Sequence, residues 1–261
     1  MKNLSKKSMS TSNQGEESLD KSATSIEQNM LSSTFLSSAG HELRSPLTSI
    51  LGFTSLILNG KTGEISDKQR EQLTIVYESA QDLLDLINDV MDISRIEAGK
   101  NELVQETFLL DDVVNEVISK LKDAVMEKGL QCKVDIPPGI QVFQDKQRFN
   151  QVLTNLVSNS IKFTNSGIIE ITGNNAGNEI QVSVKDSGIG IKEEDIPRLF
   201  EPFTHIYSKL ESKPRGTGLG LCLCEKVVNL MQGRIWAESE LGKGSVFTFN
   251  IPVELGEVKS E

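Results

Sequence analysis

The sequence is poor in the residues that mark several common classes of protein. It has three cysteines and two histidines among 261 residues, which argues against a disulfide framework and a zinc cluster of regular spacing. Aromatic residues make up 5% of the chain, and no apolar run approaches the roughly 20 residues that a membrane helix needs. Acidic residues outnumber basic ones by 37 to 27, for a net charge of −10. We therefore expect no nucleic-acid partner and no transmembrane segment.

The two ends of the sequence have the composition of tails. Residues 1–25 are rich in serine and poor in large apolar side chains, so we predict a disordered tail there. This tail lacks the continuous apolar core of a signal peptide. Residues 253–261 are predicted to form a second polar tail. The three thiols have no regular pairing, which suits a reducing compartment, and we expect a cytoplasmic location.

Two long amphipathic helices are predicted within residues 26–100. Apolar residues recur every seven positions in both helices, at Leu36, Leu43, Ile50 and Ile57 in the first and at Val76, Leu83 and Val90 in the second. Ser66 followed by Gln69 predicts a capping box at the start of the second helix. A lone hairpin of two such helices cannot cover its own apolar stripe, so we expect a homodimer in which two hairpins form a four-helix bundle.

The pattern changes to mixed helices and strands over residues 101–252. Helices are predicted near 111–128, 146–164 and 216–231. Strands are predicted within 130–143 and near 169–172, 180–184, 234–239 and 245–251, where apolar and polar residues alternate. The second half of the chain is therefore predicted to be an α/β sandwich whose sheet has one covered face.

His41 is the first candidate for chemistry. In the heptad frame set by Leu36 and Leu43 it falls at position f, on the outward face of the helix, whereas a structural histidine would lie at a, d or e. Pro46 removes an amide from the helix and loosens it just beyond His41. A costly proline beside an exposed His41-Glu42 pair indicates a working site, and the alternative is a solvated surface histidine.

A polar face on the helix predicted at 146–164 is the second candidate. Asn155 and Asn159 are four residues apart, and Lys162 follows on the same face. An amide oxygen suits Mg²⁺ and a lysine suits a phosphate. The alternative is an ordinary solvated face.

Two glycine-containing turns are the third candidate. Asp186 follows a predicted strand, and its acceptor-only carboxylate can bind an exocyclic amine such as that of adenine. Gly188 and Gly190 would let a ligand approach the backbone; the alternative is a plain turn. The loop from Gly216 to Gly220 opens a helix and offers amides to a phosphate. It matches neither common glycine-rich fingerprint of nucleotide-binding proteins.

In this order, the segments resemble the sequence boxes of two-component sensor histidine kinases. The H box corresponds to residues 41–47, the N box to 155–163, the G1 box to 186–190, the F box to 199–203, the G2 box to 216–221 and the last glycine box to 242–245. The resemblance implies a dimerisation and histidine phosphotransfer hairpin over 26–100. It also implies a catalytic ATP-binding domain of the Bergerat (GHKL) type over 101–252.

The resemblance also implies roles for single residues. His41 would be the phosphoacceptor, Glu42 its acid–base partner, and Ser45 would hold the water for phosphatase activity towards a phosphorylated regulator. Asn159 would hold Mg²⁺ and Asp186 would bind the adenine amino group. Further residues of the ATP site would be Asn155, Lys162, Phe163, Gly188, Gly190, Gly216, Thr217, Gly218, Leu219 and Gly220.

The function implied is ATP-dependent autophosphorylation of His41, followed by phosphotransfer to an aspartate on the receiver domain of a response regulator. The cofactors would be ATP and Mg²⁺, and an unidentified sensor module or protein would supply the input. Residues 192–215 would form a mobile lid. Two alternatives remain: a related ATPase of the gyrase-like or mismatch-repair kind, and a non-catalytic scaffold.

The sequence departs from the family pattern at three positions. Ser45 stands where Thr or Asn is more frequent, Phe163 where Tyr is often found, and Gln232 where a Gly frequently precedes Gly233.

Overall fold

The computed structural model describes residues 39–40, 42–99, 102–206 and 217–253. Both predicted tails, apart from Val253, lie outside the described residues, and so do His41 and Gly216. The boundary between two compact units falls between residues 101 and 102. In the part of the chain that is described, no helix is long and apolar enough to cross a membrane.

The first unit is a helical hairpin. Helix α1 is described over residues 42–58 and continues through Pro46, and helix α2 spans Asp67–Glu97. The predicted capping box is confirmed, because the Ser66 hydroxyl accepts from the Gln69 amide while the Gln69 side chain accepts from the Ser66 amide. Gly99, with φ of +63°, follows the C-terminal end of α2.

The hairpin has one packed seam and one uncovered apolar stripe. In the seam, Leu47 and Met91 are buried, and Gly40 lies so close to Met91 that an added Cβ would overlap its sulfur. Arg44 Nη2 donates to Asn88 Oδ1 at 2.9 Å across the same seam. Outside the seam, seven large apolar side chains in the described part of the hairpin are exposed: Leu43, Ile50, Phe53, Leu56, Ile75, Val76 and Leu83.

The second unit combines three α-helices with seven strands in the described residues. The helices are α3 (Leu110–Glu127), α4 (Lys146–Phe163) and α5 (Gly220–Leu230). The strands are β1 (Gln105–Leu109), β2 (Gln131–Asp135), β3 (Gln141–Asp145), β4 (Ile168–Asn175), β5 (Glu179–Asp186), β6 (Arg234–Glu240) and β7 (Gly244–Pro252). A five-stranded sheet has the order β2-β4-β5-β7-β6, in which β2 is parallel to β4 and the other neighbours are antiparallel.

The core lies between one face of this sheet and the helices. Alternate residues of β4 and β5 are buried, which confirms the predicted one-sided alternation. Phe149 of α4 lies between Phe108 and Phe249, with ring centroids 5.4 and 5.2 Å apart and edge-to-face geometry. Helix α4 is therefore anchored at its N-terminal half, and its C-terminal half reaches the end of β5.

Two elements differ from the sequence-based expectation. Strand β1 was not predicted, because Gln105, Glu106 and Thr107 give no apolar alternation; its backbone pairs with β3 in a separate two-stranded sheet. A short 3₁₀-helix, Glu193–Arg198, occupies the start of the segment expected to be a mobile lid. Residues 207–215 of that segment lie outside the described residues.

Candidate functional site

The C-terminal half of α4 places three of the predicted residues on one edge of the helix. Asn155, Asn159 and Lys162 are half-buried, while Leu156 and Ile161 between them are buried in the core. The core-facing side chains fix the rotation of the helix, so the three polar side chains lie at the boundary between core and solvent. Lys162 Nζ lies 4.9 Å from the ring centroid of Phe163, at cation–π distance.

Asp186 is a buried carboxylate at the end of β5. It is 5% exposed, its Oδ1 accepts from the Gly188 amide at 2.8 Å, and Ser160 Oγ lies 3.5 Å from its Oδ2. Burial raises the pKa of Asp186, against the opposing effect of hydrogen bonds from the Gly188 and Ser245 amides and the Ser160 hydroxyl. The carboxylate is thus desolvated but held in a fixed orientation, as an acceptor for a ligand N–H must be.

The turn after Asp186 is held closely on two sides. The Ile189 amide donates to the Phe163 carbonyl at 3.2 Å, and the Ile189 carbonyl accepts from the Gly242 amide at 2.7 Å. A Cβ at Gly188 would lie 2.5 Å from the Phe163 carbonyl oxygen, and one at Gly190 would overlap the Glu240 carbonyl. Both glycines are therefore required by close backbone approach, whatever contact they make with a ligand.

The second glycine-rich segment leads into α5 beside α4. Gly218 has φ of +71°, and a Cβ there would lie 3.0 Å from the Phe203 backbone and 3.2 Å from His205 Cε1. Leu219 is buried and its amide donates to Thr217 Oγ1 at 3.2 Å. Gly220, the first residue of α5, accepts a 3.3 Å hydrogen bond on its carbonyl from Asn155 Nδ2. The structure thus joins the predicted G2 segment to the N-box helix through Asn155.

Mg²⁺ fits this site only as part of a nucleotide complex. Among the described residues no group of three or more His, Cys, Asp or Glu side chains could form a metal cage. Asn159 offers one amide oxygen, which suits a cation whose other ligands are phosphates and water.

The predicted phosphoacceptor segment lies in the other unit. Glu42 and Ser45 are exposed on α1, and so is Thr48, while His41 itself lies outside the described residues. In a helix, residues 41, 45 and 48 share one face. The two described members of that face are therefore accessible to solvent.

Two residues that contact Asp186 were not singled out from the sequence. Ser160 lies inside the N box and donates to Asp186, but its type is common on any helix. Ser245 lies in the last glycine box and pairs with Asp186 across β5 and β7. The antiparallel register of these strands brings the two together, and the sequence shows no register.

Comparisons with known proteins agree with this architecture. Residues 144–255 match the family of histidine kinase-, DNA gyrase B-, and HSP90-like ATPases, and residues 31–99 match the His kinase A phosphoacceptor domain. The signal transduction histidine-protein kinase BarA of Escherichia coli K12 is 40% identical over 232 residues, which are 86% of this chain and 25% of BarA. The circadian input-output histidine kinase CikA of Synechococcus elongatus is 35% identical over 241 residues, which are 91% of this chain and 32% of CikA.

Solved structures of histidine kinases are also similar to this chain. Full-length ShkA in complex with AMPPNP has a TM-score of 0.69 at 29% identity, covering 83% of this chain and 45% of ShkA. The catalytic domain of the histidine kinase ThkA is 33% identical, with a TM-score of 0.51, covering 57% of this chain and 95% of that domain. ThkA in complex with the response regulator protein TrrA has a TM-score of 0.60 at 27% identity, covering 93% of this chain and 66% of ThkA.

The fold is a helical hairpin followed by a Bergerat-type ATPase domain, and the chain belongs to the histidine kinase family. It spans 25% of BarA and 32% of CikA, so it matches one part of these longer relatives. The phosphoacceptor-domain match over residues 31–99 disfavours the alternative of a gyrase-like or mismatch-repair ATPase.

Proposed function

We propose that this chain is a protein histidine kinase, which phosphorylates His41 with ATP and passes the phosphoryl group to an aspartate of a response regulator. The observation that carries the proposal is the buried, amide-held Asp186 beside the polar edge of α4. A desolvated carboxylate with a free lone pair recognises an amino group, and the α4 edge can bind phosphates next to it. The heptad pattern of the sequence also predicts an outward histidine, His41, in the first helix.

The ATP site is assigned residue by residue. Asp186 accepts from the adenine amino group, Asn159 provides an oxygen ligand for Mg²⁺, and Lys162 offsets phosphate charge. Thr217 to Gly220 present backbone amides to the phosphates at the start of α5, and Gly216 is assigned to this loop from the sequence alone. Asn155 supports the site indirectly, because its side-chain amide donates to the Gly220 carbonyl and so holds the first residue of α5 against α4.

The transfer to His41 is a direct displacement at the γ-phosphorus. A neutral imidazole nitrogen attacks, an N–P bond forms, and the bond to the bridging oxygen breaks so that ADP leaves. Glu42 accepts the hydrogen bond of the other ring nitrogen and stabilises the positive charge that develops on the ring. When bound, Mg²⁺ supplies positive charge to the phosphates, and the protein contributes mainly positioning.

The hairpin is proposed to dimerise through its uncovered stripe. Leu43 is 50% exposed, Ile50 43% and Val76 46%, although the heptad pattern places these residues in a core. A second copy would bury them and complete a four-helix bundle. Such a dimer would leave the face of residues 41, 45 and 48 open to a partner.

The partner is proposed to be a receiver domain of a response regulator. ThkA has been solved with the response regulator protein TrrA, which supports this assignment by family likeness. Ser45 lies exposed one helical turn after His41, where its hydroxyl could hold a water for dephosphorylation of the regulator. The sensor input and the cytoplasmic location stay predictions, the second resting on the pattern of the thiols.

Chemical stability of the phosphate tests the proposed function. The chain is incubated with Mg²⁺ and γ-labelled ATP, and the labelled protein is then treated with acid or alkali. A phosphoramidate on histidine is lost in acid and survives alkali, and the label should move to an added receiver domain. Acid-stable label, or absence of label in a chain that binds ATP, would overturn the proposal in favour of another phosphoacceptor or a scaffold.

A further inference from the structure

The last turn of α4 is held by a lysine that lies just after a different helix. Lys128 directly follows α3, and its Nζ donates to the carbonyl oxygens of Ile161 at 2.7 Å, Lys162 at 2.9 Å and Thr164 at 3.3 Å. None of the sequence boxes of the family resemblance includes Lys128. One ammonium group thus binds three carbonyls at the end of the helix that carries Asn155, Asn159 and Lys162.

These carbonyls need a donor from outside their own helix. The last C=O groups of an α-helix have no intrahelical partner, and they form the negative end of the helix dipole. A lysine ammonium supplies both N–H donors and positive charge. The remaining carbonyl of this series, that of Phe163, accepts from the Ile189 amide at 3.2 Å. Two donors from two different elements therefore hold four successive carbonyls.

The second donor connects this helix end to the adenine side of the site. Ile189 belongs to the turn whose Gly188 amide binds Asp186, and a Cβ at Gly188 would lie 2.5 Å from the Phe163 carbonyl oxygen. A shift of the last turn of α4 would therefore change the distance between Asp186 on one side and Asn159 and Lys162 on the other.

Lys128 is itself well placed to act as an anchor. Gly129, with φ of +64°, ends α3, and its amide donates to the Met126 carbonyl at 3.0 Å while the Leu130 amide donates to Val125 at 3.0 Å. The chain then enters β2 through a hydrogen bond from the Gln131 amide to the Gly167 carbonyl. The half-buried Lys128 side chain starts from a backbone that is fixed on both sides.

We infer that Lys128 is a positioning residue of the nucleotide site, which acts by binding the C-terminal carbonyls of α4. It touches neither ATP nor Mg²⁺; it sets the spacing between the adenine-binding carboxylate and the phosphate-binding edge of α4. This inference rests on the proposed function, because it assigns Lys128 to the same ATP site.

The test compares Lys128→Met with Lys122→Met in the full chain. Methionine keeps the length and apolar stem of lysine but has no N–H donor. Lys122 is exposed on α3, the helix that Lys128 follows. We expect Lys128→Met to raise the dissociation constant of Mg-ADP about tenfold, since small misplacements of binding groups are costly. Lys122→Met should stay within about twofold of wild type, as surface substitutions do.

Calorimetric titration well below the unfolding temperature of each variant separates positioning from stability. A lysine that only stabilises the fold would lower the melting temperature of Lys128→Met and leave its affinity for Mg-ADP unchanged. Lys128→Arg, which keeps the charge and the donors, should restore part of the affinity. Lys128→Gln, which keeps a neutral donor, is measured in the same way if Lys128→Met does not fold.

The outcomes distinguish this inference from the proposed function. Wild-type affinity in Lys128→Met, or in Lys128→Gln if only that variant folds, would overturn the role of Lys128 and leave the kinase assignment intact. Failure of the wild-type chain to bind Mg-ADP at all would overturn the ATP site and the inference with it. A tenfold loss with no change in Lys122→Met supports both.

Discussion

Asn155 and Gly220 are in direct contact, although Asn155 lies in the predicted N box and Gly220 in the predicted G2 box, with 64 residues between them. Asn155 Nδ2 donates to the Gly220 carbonyl at 3.3 Å, and a Cβ added at Gly220 would lie 2.9 Å from Asn155 Oδ1. The contact couples α4 to the first turn of α5. The polar edge of α4 that is proposed to bind phosphates is therefore linked directly to the segment that is proposed to present amides to them.

Gly220→Ala is expected to weaken nucleotide binding although alanine favours a helix. Alanine adds up to about 1 kcal/mol of helix propensity at a helical position, but here its methyl group would push Asn155 away. We expect the affinity for Mg-ADP, measured by calorimetric titration, to fall several-fold. Gly52→Ala is the matched control, since it lies in α1 with no atom within 4 Å of the added Cβ. Equal affinity in Gly220→Ala and wild type would show that the contact has no effect on the site.

Asp186→Asn is expected to lose ATP binding and to gain stability at neutral pH. Loss of a hydrogen bond to a charged acceptor costs roughly 1.5–3 kcal/mol, or about tenfold or more in affinity.

The stability gain follows from the pKa of Asp186. Burial raises this pKa above its ordinary value of 3.8, so protonation of Asp186 is more favourable in the folded chain than in the unfolded chain. The stability that comes from this carboxyl is complete below the ordinary pKa and is lost as the pH rises through the raised pKa.

Asparagine stays neutral at every pH, and one amide oxygen can still accept from the Gly188 amide. Thermal unfolding should therefore give a higher melting temperature for Asp186→Asn than for wild type at pH 7, with the difference shrinking as the pH is lowered. A melting temperature that falls at pH 7 would mean that the hydrogen bonds to Asp186 outweigh its desolvation.

Gln232→Gly is expected to stabilise the ATPase domain. Gln232 follows α5 with φ of +59°, and its amide and that of Gly233 bind the Asn229 and Val228 carbonyls in a helix-ending turn. The left-handed conformation costs a non-glycine residue about 1–2 kcal/mol. Glycine avoids this cost, but it also raises the conformational entropy of the unfolded chain, which cancels part of the gain in stability. The free energy of unfolding in urea should rise by roughly 0.5–1 kcal/mol. Gln131→Gly, on strand β2, should instead lower it.

Lysine at two positions of the uncovered stripe is expected to dissociate the proposed dimer. Leu43 and Ile50 are 50% and 43% exposed in the single chain, and charges there would have to be buried in a four-helix bundle. Light scattering at micromolar concentration should give a dimer for wild type and for the control Thr48→Lys. The Leu43→Lys, Ile50→Lys double variant should be monomeric. A monomeric wild-type chain would contradict the proposed bundle.

The sequence was most informative where a local pattern determines the structure. The Ser66–Gln69 capping box needs only neighbouring residues, and the alternation in β4 and β5 follows from one buried face. Strand β1 was missed because its pairing with β3 depends on backbone hydrogen bonds between segments distant in sequence. The lysine at 128 was missed for the same reason, since its partners are carbonyls 33 to 36 residues away.

The family resemblance predicted Asp186, Asn155 and Gly220 as site residues, but it did not predict the hydrogen bonds that these residues make. Helix periodicity puts Asn155 and Lys162 on one face, and it says nothing of the Gly220 carbonyl that binds Asn155. Likewise, the hydrogen bonds of Asp186 with Gly188, Ser160 and Ser245 depend on sheet register and on the packing of α4. Hydrogen bonds between such distant segments cannot be predicted from the periodicity of the sequence.

Site mapping of the phosphate in wild type, His41→Gln and Asp186→Asn is the most direct test of the proposed phosphorylation of His41 by ATP. Each chain is incubated with Mg-ATP, digested at alkaline pH and analysed by mass spectrometry. We expect phosphate on His41 in wild type, none on any residue in His41→Gln, and at most a trace in Asp186→Asn. His41→Gln should still bind Mg-ADP with wild-type affinity. Phosphorylation of His41→Gln at the wild-type level would show that His41 is not the phosphoacceptor.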